Sequence, residues 1–347
     1  MAQVQVLTFS PVPNPFLLAA LLSVSSTVSM EYGAYGATKS GFQDKSSVKL
    51  PHMTKSRKKM SPIIIFLCVL CPWLVFTAVS WAFSFRVHYT LPAASWLILL
   101  LSVMLSATFG ALSYAALMKE KQSPGDHYSS TWYVYLSVLL LTASLVGWFL
   151  GDLNYYTNMQ QYYDLKALAE YYNIDPATTK GAQMIDASSV VFKEGSGLSL
   201  DKAYVFINNF KYCVAPVSVF DKDGKEVETL KSYDFWAIGL DCCDGNKTSP
   251  VDFKCGAYTS KKARQGLRLM RDDQRQFFRL AVQQAEAAHG IQAIHPVFFY
   301  WTEDAKADLE NYQEIGYSYF YLGILLMFIG VVMSAFVSIF IFTKMGY

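Results

Sequence analysis

The chain has 347 residues, of which 53% are hydrophobic and 16% are charged, whereas a soluble domain usually carries about 25% charged residues. The formal net charge of +2 excludes a strongly basic nucleic-acid-binding protein. The aromatic content of 16% excludes a chain that is disordered throughout, because such chains lack the apolar surface that offsets ordering entropy. The composition therefore favours a membrane protein.

Residues 1–61 precede the first long apolar stretch and carry seven basic and two acidic side chains. They are predicted to form a mostly disordered cytoplasmic tail. The apolar run at residues 16–24 is too short to span a bilayer, and no Lys or Arg precedes it, as one would in a signal peptide. A targeting segment and a fifth span are the alternatives left open for this run.

Four apolar stretches are long enough to cross a bilayer, which takes about 20 residues in a helix. None of them contains Lys, Arg, Asp, Glu or His. They are Pro62 to Phe85, Ala93 to Met118, Thr131 to Leu150, and Tyr319 to Thr343. Residues 62–150 are thus predicted to hold three spans with short loops, and residues 319–347 to hold the fourth span and a short cytoplasmic C-terminus.

Basic residues near the ends of the spans predict the orientation, because such residues are retained on the cytoplasmic side. Four basic side chains lie within residues 55–59, and Lys119 and Lys121 follow the second span, whereas the loop between the first two spans has only Arg86. Both termini are therefore predicted to be cytoplasmic. Residues 151–318 are predicted to lie outside the cytoplasm.

The chemistry of residues 151–318 agrees with the secretory pathway or the plasma membrane. Asn246 begins an Asn-Lys-Thr glycosylation acceptor. Four cysteines are expected to form disulfides, as is usual in an oxidising compartment: Cys213, Cys242, Cys243 and Cys255. Adjacent cysteines rarely bond each other, so Cys213 is expected to bond one of the neighbours and Cys255 the other. The alternative is a zinc site, but neighbouring cysteines fit zinc-ligand spacing badly, and no metal is expected.

An α+β fold is predicted for residues 151–318. The tyrosine-rich segment from Tyr155 to Tyr172 is expected to form a helix that ends before Pro176. The stretch 204–240 is rich in strand-forming residues and contains a turn at 221–224 that ends in glycine. That glycine stands at the wrong position for an EF-hand calcium loop, so a hairpin turn is predicted.

A long amphipathic helix is predicted after the cysteines, capped by Thr259 or Ser260 and ended by Gly290. Five arginines recur at three- and four-residue intervals within it: Arg264, Arg268, Arg271, Arg275 and Arg279. On one helix they would share a contiguous surface. This surface is expected to be either a solvated face, paired with neighbouring aspartates, or a binding face for an anionic partner.

Small residues recur at helical spacing in the second and fourth spans, a pattern that lets helix backbones approach closely. They are Ser102, Ser106 and Gly110 in the second span and Gly330, Ser334 and Ser338 in the fourth. They are predicted to pack helices, either within the molecule or against a neighbouring protein. Cys68 and Cys71 of the first span are expected to be buried thiols.

The sequence contains no nucleophile-elbow, zinc-protease, Walker A or dinucleotide motif. Neither enzymatic activity nor a cofactor is therefore expected.

The layout of spans and loops resembles the tetraspanin plan. Four spans, a very short first external loop and a large cysteine-bearing external loop before the last span carry the resemblance. The adjacent Cys242 and Cys243 and the small residues of the second span are also similar to that family. The resemblance implies a membrane organiser that binds other membrane proteins. The stretch from Tyr233 to Trp301 is also similar to uncharacterised multi-span proteins of single-celled eukaryotes, and this similarity implies no function.

The sequence thus predicts an α-helical membrane protein with four transmembrane helices and a disulfide-stabilised α+β extracytoplasmic domain between spans three and four. Its expected function is that of a scaffold or an accessory subunit. The expected partners are membrane lipids and other membrane proteins or further copies of the chain, and no nucleic acid. A pore-forming or transporter subunit that is active as an oligomer is the alternative.

Overall fold

The computed structural model describes residues 62–122, 130–221, 223–227, 230–244 and 251–344. The helices are α1 (Pro62–Ser84), α2 (Arg86–Thr90), α3 (Pro92–Gln122), α4 (Ser130–Asn154), α5 (Gln160–Lys166), α6 (Asp272–His289) and α7 (Ala305–Lys344). The strands are β1 (Ala169–Ile174), β2 (Ala187–Phe192), β3 (Ser196–Leu198), β4 (Tyr204–Asn208), β5 (Phe210–Val219), β6 (Phe235–Leu240), β7 (Cys243–Asp244), β8 (Asp252–Phe253), β9 (Gln265–Arg268) and β10 (Val297–Thr302). A π-helical segment at Tyr155–Met159 joins α4 to α5, and 3-10 turns cover Gly181–Met184 and Leu200–Lys202.

Four of the helices, α1, α3, α4 and α7, are long and apolar enough to cross a membrane. They confirm the four predicted apolar helices. The third apolar stretch runs on to Lys166 and the fourth begins at Ala305. Both helices therefore extend beyond the predicted spans into the part of the chain that forms the sheet.

The helices approach each other closely where small residues allow it. At Gly151 of α4, an added Cβ would lie 2.9 Å from both the Ser80 carbonyl oxygen and the Phe83 Cβ of α1. The Trp73 indole of α1 donates to the Ile324 carbonyl of α7 at 3.3 Å. Because glycine removes the side chain at the contact, the backbones of α1 and α4 can pack together.

The strands of the sheet domain follow the order β1-β2-β9-β10-β6-β5-β3, with β4 also paired to β5. The pairs β1 with β2 and β6 with β10 are parallel, and the other pairs of this sheet are antiparallel. Strands β7 and β8 form a separate two-stranded sheet. The α+β fold class predicted for this region is therefore confirmed as a mixed sheet with helices.

Both faces of the main sheet are covered, as β5 illustrates. Alternate side chains of a strand point to opposite faces. Cys213 and Ala215 belong to one buried cluster, whereas Tyr212 and Val214 belong to the other. Helix α6 packs on the second face through four buried apolar side chains, Phe278, Ala281, Val282 and Ala285. This packing leaves the opposite side of α6 at the surface.

The arginine-bearing helix is shorter than the sequence predicts. It begins at Asp272 with Arg271 as the N-cap residue, not at Thr259 or Ser260, and it ends as predicted at Gly290, which has a φ of +65°. Residues 265–268 instead form β9 between β2 and β10. An added Cβ at Gly266 would lie 2.7 Å from the Phe299 Cβ, so the glycine lets two strands pair closely. Strand pairing thus overrides the local helical pattern.

The tyrosine-rich segment also differs from the prediction. Its helix ends at Lys166, and Tyr171 and Tyr172 lie in β1, which pairs in parallel with β2. The predicted turn after β5 is confirmed, since the Gly224 amide donates to the Asp221 carbonyl at 2.9 Å and Gly224 has a φ of +75°. Only glycine adopts that conformation without steric cost.

The four cysteines of the sheet domain form two disulfides. Cys213 is bonded to Cys243, and Cys242 is bonded to Cys255. This is one of the two arrangements left open above. The bond from Cys213 ties the β7–β8 sheet to β5, and the bond between Cys242 and Cys255 links the residue before β7 to the segment after β8. Asn246, the predicted glycosylation site, lies outside the residues that the structure describes.

Candidate anion-binding cleft

A cleft of about 270 Å³ opens in the sheet domain, beside the end of β9 and the start of β10. Three segments that are far apart in the sequence meet there: the 3-10 turn at 181–184, the stretch from the end of β9 into α6, and the loop that leads into β10. Its lining includes Arg268, Arg275, Arg279 and His295, flanked by Ile185 and Ile294. The cleft therefore combines cationic groups with an apolar rim.

Arg268 is the half-buried arginine of the cleft. Its Nη1 donates to the Met184 carbonyl at 2.9 Å, with a longer contact of 3.5 Å to the Ala187 carbonyl. Burial and the nearby positive charge of Arg275 lower the pKa of Arg268, while Asp186 acts in the opposite direction. The guanidinium remains charged at neutral pH. Arg268 is thus a positioned cation with a cationic neighbour.

Arg275 and Arg279 lie one helical turn apart on α6, at a spacing that places side chains on one helix face. Arg275 forms an ion pair with Asp272 at 3.0 Å. Among the described residues, neither Arg268 nor Arg279 has a carboxylate within ion-pair distance. Two of the three arginines in the cleft are therefore without a direct counter-charge in the described part of the chain.

Asp234 holds the loops of the cleft together. Its side chain is buried, with 4% exposure. One carboxylate oxygen accepts a hydrogen bond from the Gly181 amide at 2.9 Å. The other accepts from the Ser232 hydroxyl at 2.5 Å and from the amides of Ile294 and His295 at 3.1 and 3.3 Å. A buried carboxylate with four donors is well satisfied, so it fixes the positions of three lining residues.

Gly181 is required at its position by close packing rather than by its φ. An added Cβ would lie 2.1 Å from the His295 carbonyl oxygen and 3.0 Å from the Asp234 Cβ. Any larger residue would push the 3-10 turn away from the loop before β10. The close approach of these two lining segments thus depends on the glycine.

The five predicted arginines do not form one helical surface, and this expectation is corrected. Arg268 is the last residue of β9, and Arg264 directly precedes that strand. Arg271 is the N-cap residue of α6, so only Arg275 and Arg279 lie within the helix. Arg264 pairs with Glu194 at 3.3 Å, and Arg271 pairs with Asp273 at 2.9 Å. The structure brings Arg268, Arg275 and Arg279 together in the cleft, and Arg264 and Arg271 are not among the residues that line it.

The sequence analysis did not identify Gly181 or Asp234. A signal for Asp234 exists, because it is a single acidic residue directly before the apolar run Phe235 to Ile238. Acidic side chains are rarely buried unless they are paired. No comparable signal marks Gly181, since its role depends on a contact with a residue more than 100 positions away.

Most of the predicted helix-packing residues are buried or contact a neighbouring helix, whereas Gly330 does not within the described residues. The Ser106 hydroxyl of α3 donates to the Ser137 carbonyl of α4 at 2.8 Å, Ser102 is buried, and an added Cβ at Gly110 would lie 3.2 Å from the Ser137 Oγ. In α7, Ser334 hydrogen-bonds Tyr135 of α4 at 2.9 Å, and Ser338 is half-buried. At Gly330 an added Cβ would have no neighbour within 4 Å in the described part of the chain.

Three sulfur atoms in the sheet domain, those of Cys213, Cys242 and Cys255, lie within 4.8 Å of one another. All three are disulfide sulfurs, whereas metal binding requires thiolates. Their proximity follows from the packing of two neighbouring disulfides. An added Cβ at Gly239 would lie 2.3 Å from the Cys242 Sγ, so this glycine makes room for the cluster.

A second charged cluster surrounds Glu226. One oxygen of its carboxylate accepts from the hydroxyls of Ser218 and Tyr233 at 2.5 and 3.0 Å, and the other accepts from Lys202 and from Ser199 at 3.2 Å. Burial alone would raise the pKa of Glu226, but the bonds from Lys202, Ser218 and Tyr233 outweigh it and the pKa is lowered. Every partner belongs to the domain, so the cluster holds the segment after β5 in place.

Comparisons with known proteins gave no match: no family model, no curated protein and no solved structure is similar to this chain.

Proposed function

We propose that the chain is a multi-pass membrane protein that acts as a scaffold or an accessory subunit, and that its sheet domain binds an anionic partner through the cleft. In this proposal both termini are cytoplasmic and the sheet domain lies on the other side of the membrane. The four long apolar helices, the basic residues of the short loops and the two disulfides support this arrangement.

The observation that carries the binding function is the presence in one cleft of two arginines that have no carboxylate at ion-pair distance in the described part of the chain. Arg268 and Arg279 line the same cleft, and neither has a counter-ion at contact distance among the described residues. Guanidinium groups present a planar set of donors that matches carboxylate or phosphate oxygens. An anionic group of a partner would complete this arrangement.

The connection between the cleft and the helices supports a scaffold role. Leu267, the residue before Arg268, packs with Leu165 of α5 and Ala305 of α7. Helix α7 is one of the four apolar helices, and α5 is continuous with another, α4, through the π-helical segment. Binding at the cleft therefore takes place on a domain that is attached to the helix bundle at two points.

The test measures binding of a short fluorescent polyglutamate peptide to the full chain in mild detergent. The double variant Arg275→Gln/Arg279→Gln is expected to bind the peptide at least about tenfold more weakly, because hydrogen bonds to charged groups contribute about 1.5–3 kcal/mol each. The matched control is Arg264→Gln/Arg271→Gln, which removes the same charge outside the cleft and should change the affinity less than about twofold.

Two results would contradict the proposal. Equal weakening in the two double variants would show that only net charge matters and that the cleft has no role. A steady ion conductance of the purified chain in liposomes would favour the pore-forming alternative instead.

A further inference from the structure

We propose that the cleft binds a small phosphate monoester that carries an apolar group. This inference rests on the proposed function and specifies the ligand class of the same cleft.

The charge of the cleft matches a dianion. Of its three arginines, Arg275 is paired with Asp272, which leaves Arg268 and Arg279 without a carboxylate at contact distance in the residues that the structure describes. A phosphate monoester carries about −1.5 to −2 charges at pH 7, whereas a phosphodiester or a single carboxylate carries one. Two available guanidinium groups therefore favour the monoester.

The donors of Arg268 are held in place before a ligand arrives. Its Nη1 is bonded to the Met184 carbonyl, which fixes the plane of the guanidinium. The remaining N–H groups of a guanidinium can form paired hydrogen bonds with two oxygens of one phosphate. A positioned arginine loses less side-chain entropy when it binds than a free one does.

The rim of the cleft provides the apolar contact. Ile185 and Ile294 are 68% and 62% exposed, and both line the cleft. The Ile294 amide is bonded to the Asp234 carboxylate at 3.1 Å, so its backbone is held in place next to the arginines. Exposed isoleucines beside a cationic group are suited to a ligand with an anionic end and an apolar end.

The size of the cleft limits the ligand. Its volume of about 270 Å³ lies just below the usual range of about 300–1,000 Å³ for small-molecule sites. A phosphate with one ring or a short aliphatic group fits this volume, whereas a longer chain could place only one of its anionic groups in it.

The experiment compares three probes by isothermal titration calorimetry on the full chain in mild detergent at pH 7.5. Phenyl phosphate has both the dianion and the apolar group, inorganic phosphate lacks the apolar group, and methyl phenyl phosphate is a monoanion with the same ring. We expect phenyl phosphate to bind at least about tenfold more tightly than either of the other two, since it alone uses both parts of the cleft.

Three variants assign the binding to the cleft. Arg279→Gln is expected to weaken the binding of phenyl phosphate at least about tenfold. Arg271→Gln removes the same charge from the N-cap of α6 and should weaken this binding by less than about twofold. Ile294→Ser should weaken the binding of phenyl phosphate and leave the binding of inorganic phosphate unchanged. Arg279 and Ile294 are exposed and Arg271 is half-buried, so the three variants are expected to fold.

The inference is overturned if the three probes bind equally, or if Arg279→Gln and Arg271→Gln have the same effect. Loss of phenyl phosphate binding can be separated from failure of the proposed function. If the polyglutamate peptide still binds in an Arg279-dependent manner while phenyl phosphate does not bind, the ligand class is wrong and the anionic-partner function stands. If neither probe binds, both proposals fail.

Discussion

The Asp234 carboxylate accepts a hydrogen bond from the Gly181 amide at 2.9 Å, across 53 positions of the sequence. This contact joins the start of β6 to the 3-10 turn at 181–184, and the same carboxylate also holds the amides of Ile294 and His295. Two of the loops that form the cleft therefore converge on a single buried side chain. The shape of the cleft depends on a residue that is not among those lining it.

Asp234→Asn should destabilise the domain and weaken anion binding. The asparagine amide keeps one acceptor oxygen, but its N–H donor points towards backbone amides or a hydroxyl that need an acceptor. We therefore expect the free energy of unfolding to fall by about 2–3 kcal/mol. The measurement is chemical unfolding followed by the fluorescence of the buried Trp236 and Trp301. Asp244→Asn is the control, because Asp244 is 75% exposed, and its effect should stay within about 0.5 kcal/mol. Equal effects of the two variants would disprove the role of Asp234.

Gly151→Ala and Gly330→Ala should have opposite outcomes in the helix bundle. At Gly151 the new Cβ would meet α1 at 2.9 Å, and overpacking of this kind costs about 1–3 kcal/mol. At Gly330 the described part of the chain has no atom within 4 Å of the new Cβ. Alanine there should be neutral or slightly stabilising, because it is the better helix former.

Thermal unfolding of the detergent-solubilised chain compares the two glycine variants. If Gly330→Ala lowers the melting temperature as much as Gly151→Ala does, then Gly330 contacts another helix, which would be that of a partner. A gel-filtration change in Gly330→Ala would identify a second copy of the chain as that partner.

The Glu226 cluster should make the domain sensitive to acid. The pKa of Glu226 is lower in the folded chain than its usual value of 4.5, so its contribution to stability is complete above about pH 4.5 and is lost as the pH falls through the lowered pKa. Glu226→Gln should reduce stability at neutral pH by about 1–3 kcal/mol, because hydrogen bonds to a charged group are lost. It should also flatten the acid side of the pH–stability curve.

Glu194→Gln provides the control for Glu226. Its side chain is 90% exposed and pairs with Arg264, and an exposed ion pair contributes only about 0–1 kcal/mol. Unfolding of both variants between pH 3 and pH 7 is the measurement. If Glu226→Gln loses as much stability between pH 7 and pH 3 as the unchanged chain does, other groups determine the acid sensitivity.

The proposed orientation predicts a glycan at Asn246 and two protected disulfides in the native membrane. An N-glycosidase should increase the mobility of the chain on a gel, and Asn246→Gln should give the same mobility without treatment. Peptide mapping without reductant should recover the linked pairs Cys213 with Cys243 and Cys242 with Cys255. A chain without glycan and with four free thiols in that region would overturn the proposed compartment.

Features that depend on local composition were predictable from the sequence. The four apolar helices follow from long uncharged stretches, and the turn at Gly224 follows from a glycine between strand-forming residues. The cysteine positions reduced the possible disulfide pairings to two, and the fold selected one of them. The helices and the turn are each determined by a short segment with few competing conformations, whereas the choice between the two pairings depends on the fold.

The cleft was only partly predictable, because it is a product of tertiary structure. Three of the five regularly spaced arginines, Arg268, Arg275 and Arg279, line the cleft, but the same spacing predicted a helix through residues that form β9. The pairing of Gly266 with Trp301 decides that conformation, and local periodicity carries no information on such a partner. The contributions of Gly181 and Asp234 likewise depend on contacts across long sequence separations.

The continuity of α4 and α5 through Tyr155–Met159 has a mechanical consequence. A π-helical segment keeps the backbone hydrogen-bonded while it changes the angular phase of the side chains that follow, and the Asn154 side chain ties this point to the Gly316 carbonyl of α7 at 2.9 Å. Leu165, near the end of α5, packs on Leu267, the residue before Arg268. The helix that begins as α4 is thus joined, by unbroken helical backbone and then by side-chain packing, to the strand residue that precedes Arg268.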